Sequence, residues 1–181
     1  MAGAPASLAL RLAPYLEVAA GKMDRAALDQ RPLTLGVISD RPERQADWSL
    51  QTAQRLLDEG QADRARKVLA DAISAHGPTV PLRSAMARTL IQLGQAPEAL
   101  VLLDQPPLST WDPAQRQTLR GRALIVLKDW DKAREALATA LEKDPRLAEA
   151  HYLLGQVYEQ GADWQKAAAE YRAFHDLTQS R

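Results

Sequence analysis

Three histidines, His76, His151 and His175, are the side chains best suited to hold a metal or to move a proton near neutral pH. No two of them sit at the one-turn spacing that puts a pair of ligands on one helix face. His151 falls where a helix often carries an aromatic ring, and all three read as packing or surface residues. The chain has no cysteine, which removes disulfides, thiolate metal sites and cysteine nucleophiles. It has no H-E-x-x-H run, no phosphate-cradling glycine loop and no nucleophile-elbow pattern. Its carboxylates are many but scattered, the pattern of solvated helix surfaces and of pairs one turn apart. The chain therefore reads as non-catalytic, with no cofactor and no metal site.

Composition narrows the class further. Hydrophobic residues make up 46% and charged residues 25% of 181, enough apolar surface for one folded domain or a short repeat array. Formal net charge is zero and no long block of like charge occurs, which disfavours an extended nucleic-acid surface. No run reaches the length of a membrane-spanning helix, so membrane insertion is not expected. The opening "MAGAPASLALRLAPYLEVAAGK" is apolar, but it lacks a basic start and is interrupted by Pro14, so it does not read as a signal peptide. The compartment stays open.

The organisation comes from subtraction. Stepping back by 34 residues from Gly155 gives Gly121, Ala87 and Ala53, all small. From Ala167 the same steps give Ala133, Ala99 and Ala65. Tyr158 leads to Leu124, Leu90 and Leu56, and Tyr171 to Leu137, Leu103 and Leu69. Four columns in one register imply a helix-turn-helix unit repeated about every 34 residues. Within each unit the two small columns let helix A and helix B approach closely, and the large residues fill the space between. Gly60 and Gly94 suit the left-handed turn that ends helix A. Asp112-Pro113 reads as a cap and first turn, and Pro145 as a stop. Pro106-Pro107 should end the second helix B early, near Asp104. The turn glycine of the last unit, Gly161, stands one residue early.

The segment "AQRQTLRGRALIVLKDWDKAREALATALEKDPRL", Ala114 to Leu147, resembles a tetratricopeptide repeat through Gly121, Trp130, Ala133, Ala140 and Pro145. The next unit resembles the family in Leu154, Gly155, Tyr158, Ala167 and Tyr171. The resemblance implies an all-α, right-handed superhelix, an α-solenoid of about four repeats. The units would be 46–79, 80–113, 114–147 and 148–181. Residues 1–45 are expected to form a helical N-terminal cap or degenerate repeat, with a helical pair from Ser7 to Gln30, followed by a connector. Arg120, in a column that is usually apolar, and Phe174, where alanine is usual, depart from the family pattern.

The resemblance also implies a function: holding a partner protein or peptide in the concave groove lined by the A helices. Carried over by register, that groove takes Asp47, Leu50, Gln54, Leu57 and Asp58 from the first unit. The second supplies Ser84, Arg88, Ile91 and Gln92, and the third Thr118, Arg122, Ile125 and Val126. The fourth supplies Tyr152, Gln156, Glu159 and Gln160. Arg88 and Arg122 would grip a carboxylate. The lysine and asparagine clamp that one subfamily uses for chaperone tails is absent, with Leu50 and Gln54 at matching positions. Of the tryptophans, Trp130 and Trp164 share a column at the start of helix B and are expected to pack in the core, whereas Trp111 is the better candidate for exposure. The last helix, with Trp164, Ala168, Tyr171, Phe174 and Leu177, carries apolar residues on more than one face, which suggests self-association as the alternative role, or service as an accessory domain of a larger enzyme or membrane complex.

Overall fold

The structure is a computed structural model that describes residues 42–105 and 110–179. The expectations for residues 1–41 lie outside the described residues. Eight helices and no strand are found among the described residues. They are α1 (Pro42–Asp58), α2 (Ala62–His76), α3 (Val80–Gln92), α4 (Ala96–Asp104), α5 (Pro113–Val126), α6 (Trp130–Lys143), α7 (Ala148–Gln160) and α8 (Trp164–Gln179). Helix α1 begins at Pro42, inside the stretch read from sequence as a connector. The chain divides into two compact units after Asp47, the second running from Trp48 to Arg181. Helices α1, α3, α5 and α7 are of the A type, and α2, α4, α6 and α8 of the B type.

The columns read from the sequence are the core. Ala53, Ala87, Ala65, Ala99, Ala133 and Ala167 are all buried, as are Leu56, Leu69, Leu103 and Leu137. A β-carbon added to Gly121 would stand 2.5 Å from Leu137 Cγ, and one on Gly155 would stand 2.6 Å from Tyr171 Cε1. In the third and fourth units a β-carbon at these positions would therefore force the facing side chain to shift, which fits glycine at both.

The turn between A and B helices is built four times the same way. Gly60, Gly94, Lys128 and Ala162, spaced by the repeat, all have positive φ between 56° and 74°. In each, the next residue's N–H reaches back five residues to a helix A carbonyl: Gln61 to Leu56, Gln95 to Leu90, Asp129 to Leu124 and Asp163 to Tyr158. Gly161 is not the left-handed residue; its φ is −83°. The turn keeps its register and Ala162 takes the strained conformation instead. The third and fourth turns gain a cap that the first two lack. Asp129 accepts from the Lys132 N–H and its other oxygen meets Lys132 Nζ at 2.7 Å, and Asp163 and Lys166 repeat this contact. The side-chain hydrogen bond from each lysine holds both carboxyls below their ordinary range.

Helix α4 stops at Asp104, as the two prolines predict, and Asp112 caps α5 through its contact with the Ala114 N–H at 2.9 Å. Trp111 is only 5% exposed, which corrects the expectation for it. Its ring packs with Ala87, Leu103 and Leu119, and the Arg83 guanidinium lies 5.9 Å from its centre. The indole thus belongs to the core of the second unit rather than to its surface. A second correction concerns Trp164, expected in the core beside Trp130. Trp130 is half-buried against the cluster that α7 completes, whereas Trp164 is 65% exposed.

Candidate partner-binding surface

Helix packing defines an inner side. Helix α3 touches α5 and α5 touches α7, whereas no two B helices touch among the described residues. The A helices therefore lie on the shorter, inner side of the curve, and their outward-pointing residues line it.

The two arginines of that side differ. Arg122 on α5 donates from Nη1 to Glu149 Oε1 on α7 at 3.1 Å, with both side chains near half exposed. Arg88 on α3 is exposed and has no ion pair among the described residues. The register explains the difference. Glu149 is the second residue of its unit, and the same place in the third unit holds Gln115. Arg122 thus receives a carboxylate from the next helix, and the matching position one unit earlier, Gln115, carries a neutral amide. The columns carry this asymmetry at Glu149 and Gln115, outside the groove positions given by register.

The remaining groove residues separate into three groups. Gln54 donates to Asp58 at 2.9 Å, Gln92 to the Leu57 carbonyl at 3.4 Å, and Gln156 to the Tyr152 hydroxyl at 3.1 Å. These fix the local surface while staying at least partly exposed. Leu50, Leu57 and Ile125 are half-buried, Val126 is exposed, and Glu159 is exposed while accepting from the Tyr171 hydroxyl at 2.8 Å. Ile91 and Thr118 are buried: Ile91 packs with Ala96, Ala99 and Ala123, and the Thr118 hydroxyl returns to the Ala114 carbonyl of its own helix. Neither offers a side chain to a ligand. Of the apolar residues assigned to the groove by register, Leu50, Leu57, Ile125 and Val126 keep exposed surface.

His151 is half-buried between α7 and α8. Its Nδ1 meets Glu170 Oε2 at 2.6 Å and its Nε2 meets the Pro145 carbonyl at 3.0 Å. The ring ties three segments together, which fits the packing role read from sequence. Burial and the hydrogen bond to Glu159 push the Tyr171 phenol up to about 12. Arg120, out of place in its column, pairs with Asp104. No group of acids and histidines that could hold a metal occurs among the described residues. No described helix is long and apolar enough to cross a membrane.

Two models of the tetratricopeptide repeat match the chain, over residues 56–123 and 118–179. No curated protein matches it. Among solved structures, "MamA 41-end" from Desulfovibrio magneticus RS-1 is similar, with 19% identity, a TM-score of 0.64 and 99% of each chain covered. The thermophilic TPR protein TTC0263 from Thermus thermophilus has 21% identity and a TM-score of 0.66, covering 73% of this chain and 74% of the other. The second TPR domain of human RPAP3, solved in complex with the HSP70 peptide SGPTIEEVD, has 22% identity and a TM-score of 0.55, covering 65% of this chain and 98% of the domain. With the two matched segments running together from residue 56 to 179 and the fold shared throughout, the chain belongs to the tetratricopeptide repeat family.

Proposed function

We propose that this protein is a non-catalytic interaction scaffold that holds an extended segment of a partner protein along its A helices, with Arg88 taking a carboxylate of that segment. The observation that carries this reading is the unequal state of the two arginines. Arg122 already has Glu149, whereas Arg88 is exposed and has no ion pair among the described residues. An exposed guanidinium offers a forked donor set to a carboxylate, and the aliphatic groove residues add apolar contact. A peptide-bound repeat domain among the similar structures is consistent with such a role. Exposed ion pairs are worth little alone, about 0.2–1 kcal/mol, so Arg88 sets register and the apolar groove residues supply much of the affinity.

The test is affinity capture of a partner from the native host with wild-type protein, Arg88→Glu and Gln115→Glu. Gln115→Glu recreates next to Arg88 the arrangement of Glu149 next to Arg122, without removing the arginine. Loss of the same partner from both variants, with circular dichroism unchanged, supports the reading. Equal retention by wild type and both variants refutes it.

A further inference from the structure

Ion pairing on the inner side between α3 and α7 leaves one charge over at each end. Arg122 of α5 and Glu149 of α7 answer each other at 3.1 Å. What remains is Arg88 on α3 and Glu159 on α7, both exposed, of opposite sign, and without an ion pair among the described residues. Glu159 belongs to a row. Glu149, Tyr152, Gln156 and Glu159 are spaced by three, four and three, so they share one side of α7, away from the buried Ala150, Leu153, Leu154 and Val157. Tyr152 is 42% exposed and firmly held. Its hydroxyl accepts from Gln156 at 3.1 Å, and its ring leans on Phe174 (5.3 Å between centres) and Tyr171 (6.0 Å). Tyr171 in turn donates to Glu159 Oε2 at 2.8 Å, so one side chain joins the exposed ring to the carboxylate. The other oxygen of Glu159 has no hydrogen bond among the described residues. A ring already fixed in place loses little freedom when a ligand docks, and its face attracts a cation. The carboxylate beside it attracts the same cation.

We infer that the partner segment held at Arg88 carries two opposite charges: the carboxylate that Arg88 takes, and a basic side chain, arginine for preference, laid over Tyr152 with its head at Glu159. Its acidic end rests on the proposed role of Arg88, and its basic end on α7 alone. The fold sets the spacing. Helix α3 touches α5 and α5 touches α7. Packed helices lie about 8–10 Å apart, so the two ends are separated by about 16–20 Å across the inner side. An extended chain covers that in about five or six residues, at about 3.3 Å each. Between the ends, α5 offers Ile125 and Val126 and no unanswered charge, so the residues between are uncharged. A wholly acidic segment is turned away, because Glu159 repels its far end.

The experiment selects random twelve-residue peptides, displayed on phage, against the whole chain as wild type, Arg88→Glu, Glu159→Gln and Tyr152→Leu. Glu159→Gln keeps an oxygen for the Tyr171 hydroxyl, and Tyr152→Leu keeps an apolar contact on Phe174, so both variants should fold, which circular dichroism checks. Peptides retained by wild type are expected to share an acidic and a basic residue about five or six positions apart. Such a peptide, synthesised and followed by fluorescence anisotropy, should bind Glu159→Gln and Tyr152→Leu about twofold to fivefold more weakly. Changing its basic residue to glutamate should weaken binding to wild type, and Glu159→Arg should recover it. Peptides that need Arg88 but carry no basic residue, and that bind Glu159→Gln and Tyr152→Leu as they bind wild type, overturn this inference and leave the role of Arg88 standing. Peptides that need Glu159 but bind Arg88→Glu as they bind wild type overturn the two-charge segment and the role of Arg88 together. A selection that retains no peptide also overturns both.

Discussion

Gly121→Ala adds one methyl group where the A and B helices of the third unit meet. Its β-carbon would lie 2.5 Å from Leu137 Cγ and 2.7 Å from Cδ2, well inside van der Waals contact. Leu137 is fully buried among Ala133, Ala136 and Ala140, so it has no free direction in which to move. Overpacking of this kind costs about 1–3 kcal/mol, with a rigid neighbour placing it toward the upper end. Alanine is better than glycine in a helix by about 1 kcal/mol, which offsets part of the cost. The net expectation is a loss of about 1–2 kcal/mol, read as a lower urea midpoint at unchanged slope. The comparison is Gly155→Ala, whose new carbon meets the Tyr171 ring at 2.6 Å. That ring is partly exposed and can swing outward, so the loss should be smaller. A double-mutant cycle isolates the cause: with Leu137→Ala in place, Gly121→Ala fills a cavity and should become stabilising. If Gly121→Ala is as stable as wild type, or costs the same in both backgrounds, the close approach of these helices is not what selects glycine.

Three further outcomes are expected. Ala162→Gly should stabilise by about 1 kcal/mol, because it relieves a left-handed alanine, while Gly60→Ala should destabilise by a similar amount; nothing lies within 4 Å of the added carbon at Gly60, so a urea midpoint unmoved by Gly60→Ala would contradict this account. Trp111→Ala should cost about 3–5 kcal/mol in chemical denaturation, because the ring is buried against Leu103 and Leu119, and a loss below about 1 kcal/mol would mean that the side chain is not a core element. Tyr171 should be the last tyrosine to ionise in an absorbance titration, near 12. The folded state then binds more protons than the unfolded one above the ordinary tyrosine value of 10.0, so this contribution to stability is whole below pH 10 and is lost as pH rises toward 12. Tyr171→Phe should flatten that stretch of the stability curve, and an unchanged slope would remove Tyr171 as its source.

What the sequence disclosed and what it hid follow from the range of the interactions. The small and large columns fix how each A helix meets its B helix, and those contacts repeat, so subtraction by the period finds them. The left-handed turn is also periodic, but its residue types are not: Lys128 and Ala162 occupy it as Gly60 and Gly94 do. Looking for glycine pointed to Gly161, whereas the hydrogen bond from Asp163 to Tyr158 holds the bend at Ala162. The register of the fold is thus kept by backbone closure even where the favoured residue is missing. Trp111 was misread for the opposite reason, since it belongs to no column and its burial comes from contacts outside the repeat pattern.

The same distinction decides how a binding surface is to be read in a repeat protein. Residues that share a column share a backbone place, and their different roles come from the next unit. Arg88 and Arg122 have one place and two states, because Gln115 follows the first and Glu149 the second. Trp130 and Trp164 have one place and two exposures: α7 packs against the first, and the second is 65% exposed. A single column therefore predicts position, and the pair of columns one repeat apart predicts availability. For the proposed carboxylate contact the informative pair is Arg88 with Gln115, set against Arg122 with Glu149.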